Sequence, residues 1–494
     1  MIMKHCQHKQ SRTGILAIIL FTASLVLSAC SLPGISLTTI PTNPASQATS
    51  QETQIAPDTE PEHPYTPAET IFSEPDEDEA GPIDVVDENI NAEDLAEDLR
   101  LTDEAATGQQ EAITDSTGDA DVSPGLDEPA PAIAYEVRRQ FDTRIPPTVV
   151  TQLQYDTYEV YHDYLLITSG GANIREWPDA SSAKVGRAGY FDKVRLLSEV
   201  AGVFVESYGT NLWYEVEQRV GDQIIHGFIL SSLGEVRTFQ FEKMIESVTT
   251  LQAEVDVNVT AYVSNYKNWT GAAPLYQGGI VDAFGTKRYQ SAPAYSEAST
   301  ESEFRYLSDG TLVSILAETD TFYKVHVPFF DGTYYVPKKF ISLKNSLEQL
   351  EQVIVVDRHN QNEGVFEWVD GTWQLVSYIY ATTGEQSRHK EPTDLGYFMV
   401  IQKVDQFLYL DDITRQIAGY APYGIRFNGG AYIHGVPVDL KIINGTRVFP
   451  PHQEYLHTIG SFPRSHKCVR NYTSHAKFLH EWTQIGQSAI IVIE

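Results

Sequence analysis

The feature that most limits how this chain can fold is the run from Ser31 to Ala134. It holds 25 Asp and Glu against a single base, Arg100, a net of −24. Its only aromatics are Tyr65 and Phe72. Such a stretch cannot bury enough apolar surface to offset the entropy of ordering its backbone. A packed core is therefore expected only from Tyr135 to Glu494. The formal charge of the whole chain is −32, and the first thirty residues carry +3, which leaves −11 for that C-terminal part. No basic patch is present to neutralise phosphates, which argues against nucleic acid as a partner. Three cysteines, Cys6, Cys30 and Cys468, exclude a disulfide framework and a four-thiolate zinc site.

The N-terminus accounts for two of the three. Lys4, Lys9 and Arg12 precede an apolar run from Gly14 to Leu27, and Leu27-Ser-Ala-Cys30 follows. A basic start, a short apolar segment and small residues at its end read as a secretory signal peptide. The run is about 14 residues, short of the ~20 that span a bilayer. Its ending resembles the lipobox of bacterial lipoproteins. That resemblance implies a signal peptide over 1–29, cleavage before Cys30 and a lipid anchor on its sulfur. It also implies an extracytoplasmic protein held on a bacterial membrane. Residues 30–134, rich in Thr, Ser, Pro, Glu and Asp, then read as a disordered tether with a root-mean-square span of roughly 55–60 Å.

The expected fold class is mainly β. From Asp163 to Leu233 short β-rich runs are broken by Gly, Pro and Asp. Ala172-Asn-Ile-Arg175 is followed by a turn with Pro178 and Ser181, then Lys193–Leu197, Trp213-Tyr-Glu-Val216 and Gly227-Phe-Ile-Leu230. This order resembles bacterial SH3-like domains over about 160–235, a family whose members often bind cell wall. A fainter copy over 271–347 has Ser291–Tyr295, Gly310–Leu316, Phe322–Val325 and Tyr334–Pro337. Between the two, apolar residues at Phe241, Met244, Ile245, Val248 and Leu251 have helical spacing, so 236–270 reads as a helical connector. From Val353 the pattern is again β, with Asp370-Gly371 as a hairpin turn signal. Helix is expected mainly over Ala476–Trp482, and Ala489–Ile493 reads as a last buried strand.

The chemistry concentrates near the C-terminus. Six of the fourteen histidines lie between His434 and His480, with Cys468 among them. A thiol is nucleophilic as thiolate, and a nearby imidazole makes that form accessible near neutral pH. The relevant segments are Ala431-Tyr-Ile-His434-Gly435 and Ser465-His466-Lys467-Cys468-Val469-Arg470. They resemble the active-site signature of the L,D-transpeptidase (YkuD-family) catalytic domain, an H-G segment followed by S-H-G-C-[IV]-[RN]. Upstream, the strand Val353–Val356, the Thr382-Thr-Gly384 turn and Thr393-Asp-Leu-Gly396 also fit, so the resemblance covers about 350–494 and implies a β-sandwich.

That resemblance implies that Cys468 attacks the carbonyl after the third residue of a peptidoglycan tetrapeptide stem and releases D-alanine. His434 would take the thiol proton and be oriented by the carbonyl of Gly435. His466 and Ser465 would shape the loop, Arg470 would meet a substrate carboxylate, and main-chain N–H groups near Cys468 would stabilise the oxyanion. No metal or other cofactor is required. Two departures from the pattern stand out. Lys467 occupies the place of a glycine, a strained substitution if that position needs positive φ. Thirty residues separate His434 from Ser465, with the excess over Val436–Ile459 expected as a loop over the site. His452, His457, His475 and His480 are expected in structural or surface roles. Two functions fit: an L,D-transpeptidase (or, with water as acceptor, an L,D-carboxypeptidase), and a wall-binding lipoprotein whose catalytic domain has decayed.

Overall fold

The computed structural model describes residues 135–494 except 331, 411–415 and 445. The expected signal peptide, Cys30 and the acidic tether lie outside the described residues. The described part is mainly β and is built on two similar sheets followed by a sandwich.

The first sheet contains β1 (Glu136–Gln140), β2 (Asp163–Ile167), β3 (Ala172–Arg175), β4 (Lys184–Ala188), β5 (Lys193–Val205), β6 (Thr210–Val220), β7 (Gln223–Leu230) and β8 (Gly234–Thr238). Its strand order is β4-β3-β7-β6-β5-β2-β8, with β1 added on β5. Period-2 patterning explains the long β5, where Val194, Leu196, Ser198 and Val200 are buried and their neighbours half-exposed. Helix α1 (Phe241–Val257) follows.

The second sheet contains β9 (Val259–Val263), β10 (Ser291–Tyr295), β11 (Phe304–Ser308), β12 (Leu312–Glu318), β13 (Phe322–Val327), β14 (Gly332–Pro337) and β15 (Ile341–Ser342). Its order is β11-β10-β14-β13-β12-β9-β15. Strand for strand this matches β2–β8 of the first sheet. In both, a 3₁₀ turn (Ser231–Leu233 and Lys338–Phe340) precedes the final strand. Phe322 and Tyr323 on β13 thus hold the topological place of Trp213 on β6.

The connector over 236–270 is corrected in one respect. It is not helical throughout, because Val259–Val263 is a strand paired with both β12 and β15. The β-branched alternation there favours a pleated surface over helix. The buried face of α1, Phe241, Met244, Val248, Leu251 and Val255, packs into one core with Tyr164 of the first sheet, Tyr262 and Leu312 of the second, and Val353, Val355 and Ile491 of the sandwich.

The sandwich has one sheet ordered β18-β17-β16-β27-β19 and another ordered β20-β21-β22-β26, with β23 on β21. Its elements are β16 (Gln352–Asp357), β17 (Asn362–Val369), β18 (Thr372–Tyr380), β19 (Gly396–Met399), β20 (Gln402–Leu410), β21 (Ile417–Asn428), β22 (Ala431–His434), β23 (Val438–Asp439), β24 (Lys441–Ile443), β25 (Thr446–Val448), β26 (Val469–Arg470), helix α2 (Thr473–Trp482) and β27 (Ser488–Ile493). Both faces of β16 are covered, which is why it reads as an unbroken apolar run. Val353 and Val355 face the α1 core, while Ile354 and Val356 face the core between the sandwich sheets. Asp370 and Gly371 both take positive φ in the β17–β18 hairpin, as a two-residue turn of the primed type requires. Helix α2 begins three residues before Ala476.

Candidate active site

The parallel pair β22–β26 sets the site. Ile433 pairs with Val469 and His434 with Arg470. Paired residues share a face of a sheet, as do residues two apart on a strand. Ile433 and Val469 point into the core between the sandwich sheets. Tyr432, His434, Arg470 and the preceding Cys468 therefore lie on the opposite face. Cys468 and His434 are diagonal neighbours there, within side-chain reach.

Cys468 is the free thiol of the described residues and is buried. The main-chain N–H of Tyr432 donates to its sulfur at 3.2 Å, and the Gly430 carbonyl lies 3.9 Å from it. A hydrogen bond donated to sulfur stabilises the thiolate, whereas the Gly430 carbonyl accepts only from the thiol. His434 is fully buried, and its Nδ1 bonds to the carbonyl of Gly435 at 2.5 Å. A carbonyl only accepts, so Nδ1 carries the proton and Nε2 is the basic nitrogen. Phe407 stands edge-on to the imidazole at 5.2 Å and stacks on Tyr432 at 4.4 Å. Together these contacts hold the ring and the sulfur cradle in one wall.

The loop before the thiol is pinned from several sides. Ser465 Oγ donates to the Cys468 carbonyl at 2.6 Å. Thr393 Oγ1 bonds to the Lys467 carbonyl at 2.9 Å and accepts from the Gly384 N–H at 2.8 Å. Gly384 has no room for a side chain, since a Cβ there would lie 2.4 Å from the Glu391 carbonyl and 2.7 Å from the Lys467 nitrogen. Thr382 exchanges main-chain bonds with Arg470. The segments at 382–384, 393 and 465–470, far apart in sequence, thus meet.

Lys467 adopts φ +75°, the left-handed conformation a glycine would take without strain. The strain of order 1–2 kcal/mol is opposed by ion pairs from its Nζ to Asp394 at 3.1 Å and Glu391 at 3.6 Å. Burial pulls the lysine pKa down, but the two carboxylates outweigh it and hold the pKa above the ordinary value. Its charge is thus committed to these partners. The Lys467 N–H is also committed, to the Glu391 carbonyl at 2.9 Å, so it is no oxyanion donor in this conformation.

Arg470 is 2% exposed. Its Nε and Nη2 have no hydrogen-bond partner among the described residues, an arrangement that suits a carboxylate from outside the chain. His466 and Lys467 reach the wall of a cleft of about 360 Å³, lined also by Lys287 and Arg288 of the second sheet's domain and by Arg388 and Lys390. Its lining carries more cations than carboxylates in a chain that is otherwise strongly acidic.

Two of the other histidines have structural roles. His475 is buried between Ser377 Oγ at 2.9 Å and Asn471 Oδ1 at 2.8 Å. His457 Nε2 bonds to the carbonyl of Tyr190 in the first sheet's domain. The excess over Val436–Ile459 includes the β24–β25 hairpin, exposed along its length. It is then tied down, because Glu454 binds the first turn of α2 and the Tyr158 hydroxyl. Among the described residues no group of three or more His, Cys, Asp or Glu is arranged to hold a metal ion.

Sequence reasoning missed Tyr432, Tyr266, Asp309 and Arg426. Alternation within Ala431–His434 was a signal for Tyr432, since it puts that residue on the histidine's face. The other three are joined by long-range contacts that no local pattern marks.

Residues 351–492 match the family model of the L,D-transpeptidase catalytic domain, YkuD. A search of curated proteins finds no match. Among solved structures, a fused Zn-dependent amidase/peptidase/peptidoglycan-binding protein from Clostridium acetobutylicum is 19% identical at TM-score 0.20, covering 29% of this chain and 52% of that one. An L,D-transpeptidase from Stackebrandtia nassauensis is 20% identical at TM-score 0.21, covering 31% and 59%. An L,D-transpeptidase from Mycobacterium smegmatis is 17% identical at TM-score 0.24, covering 37% and 82%. This chain thus spans between half and three-fifths of the length of the first two.

Proposed function

We propose that this chain is a cysteine-dependent L,D-transpeptidase that acts on peptidoglycan tetrapeptide stems through an acyl-enzyme. The observation that carries the reading is the placement of Cys468 and His434 as diagonal neighbours on one sheet face, with Nδ1 of the histidine locked on Gly435. The match of 351–492 to the catalytic-domain family supports the same reading.

The geometry suggests the following chemistry. The Cys468 sulfur attacks the carbonyl carbon between the third and fourth stem residues, and its proton passes to His434 Nε2. The tetrahedral intermediate collapses, the C–N bond breaks, and the same proton leaves on the amine of D-alanine. An amine from a second stem then attacks the thioester, loses its proton to His434 and restores the thiol. Arg470 accepts a carboxylate of the stem, while Ser465, Thr393 and the Lys467 ion pairs hold the loop. His466 contributes one wall of the cleft by which substrate comes near. Cys468 and His434 are both fully buried, so an opening step precedes acylation.

The lysine at 467 does not favour the decayed-enzyme reading, because it takes the backbone conformation of the residue it replaces. We further infer that the two repeated sheets are SH3-like wall-binding modules and that Cys30 anchors the protein by lipid to a bacterial membrane. An unmodified Cys30 in the mature protein would remove the anchor. The test of activity is mass spectrometry of muropeptides incubated with purified protein. Cross-linked products with wild type and none with Cys468→Ala support transpeptidation, trimmed products alone point to a carboxypeptidase, and no product from wild type overturns the proposal.

A further inference from the structure

The second sheet's domain reaches the reaction centre through the turn between β11 and β12. Asp309 in that turn is 2% exposed. Its Oδ1 accepts from the Asn265 N–H at 2.6 Å, within its own domain. Its Oδ2 accepts from Arg426 Nη1 at 3.0 Å and from the Gly429 N–H at 3.2 Å, both in the sandwich. Arg426 donates in turn to the Gly429 carbonyl at 3.1 Å, and its guanidinium covers the ring of Tyr266 at 4.4 Å. Next in the chain, Gly310 takes φ +84°, and a Cβ on it would lie 1.8 Å from the Phe427 carbonyl oxygen. The Gly310 carbonyl accepts from the Met399 N–H at 3.0 Å.

The contacts with Arg426, Phe427 and Gly429 fall on the end of β21 and on the turn that joins it to β22. The far side of that turn is the sulfur cradle, because Gly430 and Tyr432 are the residues that meet Cys468 Sγ. Gly429, whose N–H Asp309 holds, is the immediate neighbour of Gly430, whose carbonyl lies beside the thiol. The hydroxyls of Tyr266 and Tyr432 also interact, and both phenols lie within electrostatic reach of Cys468. A buried ion pair contributes little net stability, since desolvation offsets most of its attraction. Burial in fact keeps the Asp309 pKa above the ordinary carboxylate value despite Arg426. What the pair does supply is a fixed geometry at one end of the hairpin that carries His434 at the other.

We propose that Asp309 and Gly310, from the domain before the catalytic one, are positioning residues of the reaction centre. They hold the β21–β22 turn so that the Tyr432 N–H stays aimed at the Cys468 sulfur. Catalytic competence therefore depends on the docked second module. This rests on Cys468 as the nucleophile.

The test is alkylation of Cys468 by iodoacetamide in the full chain, followed between pH 7 and pH 10. The ratio of the two rates reports the thiolate fraction and cancels changes in access. Gly310→Ala displaces the turn without altering charge. The double variant Asp309→Asn with Arg426→Gln removes both charges and leaves neither unpaired. Each is expected to lower the pH 7 to pH 10 ratio about tenfold, as loss of a hydrogen bond to the thiolate implies. Tyr266→Phe keeps the ring under Arg426 and loses one hydroxyl. It tests the centre should the others fail to fold, and is expected to lower the ratio about threefold. Ratios within 1.5-fold of wild type in every variant that melts cooperatively would mean that the turn merely fastens two domains, and would overturn the proposal. Alkylation reads the thiol whether or not the chain acts on peptide stems, so this inference and the proposed reaction fail separately.

Discussion

The first and second sheets share a strand order yet meet the sandwich at different places beside the candidate site. From the first, two cations reach out to carbonyls. Lys193 Nζ bonds to Ile459 at 2.6 Å, and Arg237 bonds to Gly460 at 3.3 Å and to Ser461. From the second, the Asp309 carboxylate receives the Gly429 N–H and the Arg426 guanidinium, and Lys287 pairs with Glu391. The first grip falls on 459–461, four residues or more before Ser465. The Asp309 contact falls one residue from the sulfur cradle. A duplicated topology thus makes two contacts: one module meets the segment before the candidate-site loop, and the other meets the turn beside the Cys468 sulfur.

This contrast can be broken at several points. Gly310→Ala brings the largest effect, about 3–5 kcal/mol of stability, from overpacking against backbone plus left-handed strain. Denaturant unfolding measures that loss, and turnover on muropeptides falls at least tenfold with it. Leu251→Ala in α1 removes apolar contacts shared by both modules and the sandwich, and is expected to cost about 2–4 kcal/mol. Because that core is separate from the one holding Ile433 and Val469, the pH 7 to pH 10 alkylation ratio stays at its wild-type value. Arg237→Met in the first module is expected to cost about 1.5–3 kcal/mol, as for a buried charged hydrogen bond. It too leaves the ratio unchanged, and a drop there would erase the distinction between the modules.

The smallest effect concerns Glu391. Burial alone would raise its pKa, but Lys467 and Lys287 outweigh it and hold the group below the ordinary value of 4.5. A folded pKa below the unfolded one contributes stability that is full above the unfolded value. That contribution is lost as pH falls through the lowered folded pKa. Glu391→Gln is therefore expected to be less stable than wild type by about 0.5–1 kcal/mol at pH 7. The gap closes in acid, and melting curves between pH 3 and pH 7 show whether it does.

Local pattern carried much of this architecture. β16 and β27 read as buried strands because both faces of each are covered. Phe241–Leu251 read as helix because one stripe of it is apolar. Ala431–Gly435 and Ser465–Arg470 read as a candidate site because a cysteine stands among histidines there and the segments resemble a family signature. What local pattern did not carry is long-range. Asp309 and Arg426 are 117 residues apart, and Ser308-Asp-Gly310 alone reads as an ordinary polar turn. Val259–Val263 was assigned to a connector because five residues after a helix give too short a window to show their own period. The aromatic contacts of Tyr155 and Tyr158 with α2 and Tyr472 come from a segment with no regular secondary pattern.

The central claim is that Cys468 is acylated by a peptide stem. Intact-protein mass spectrometry of the full chain, quenched during incubation with a disaccharide tetrapeptide, tests it directly. Wild type is predicted to gain the mass of the disaccharide tetrapeptide less that of D-alanine, with the adduct mapped to Cys468 and absent from Cys468→Ala. A folded wild type whose mass never changes, and which leaves the tetrapeptide intact, would contradict it.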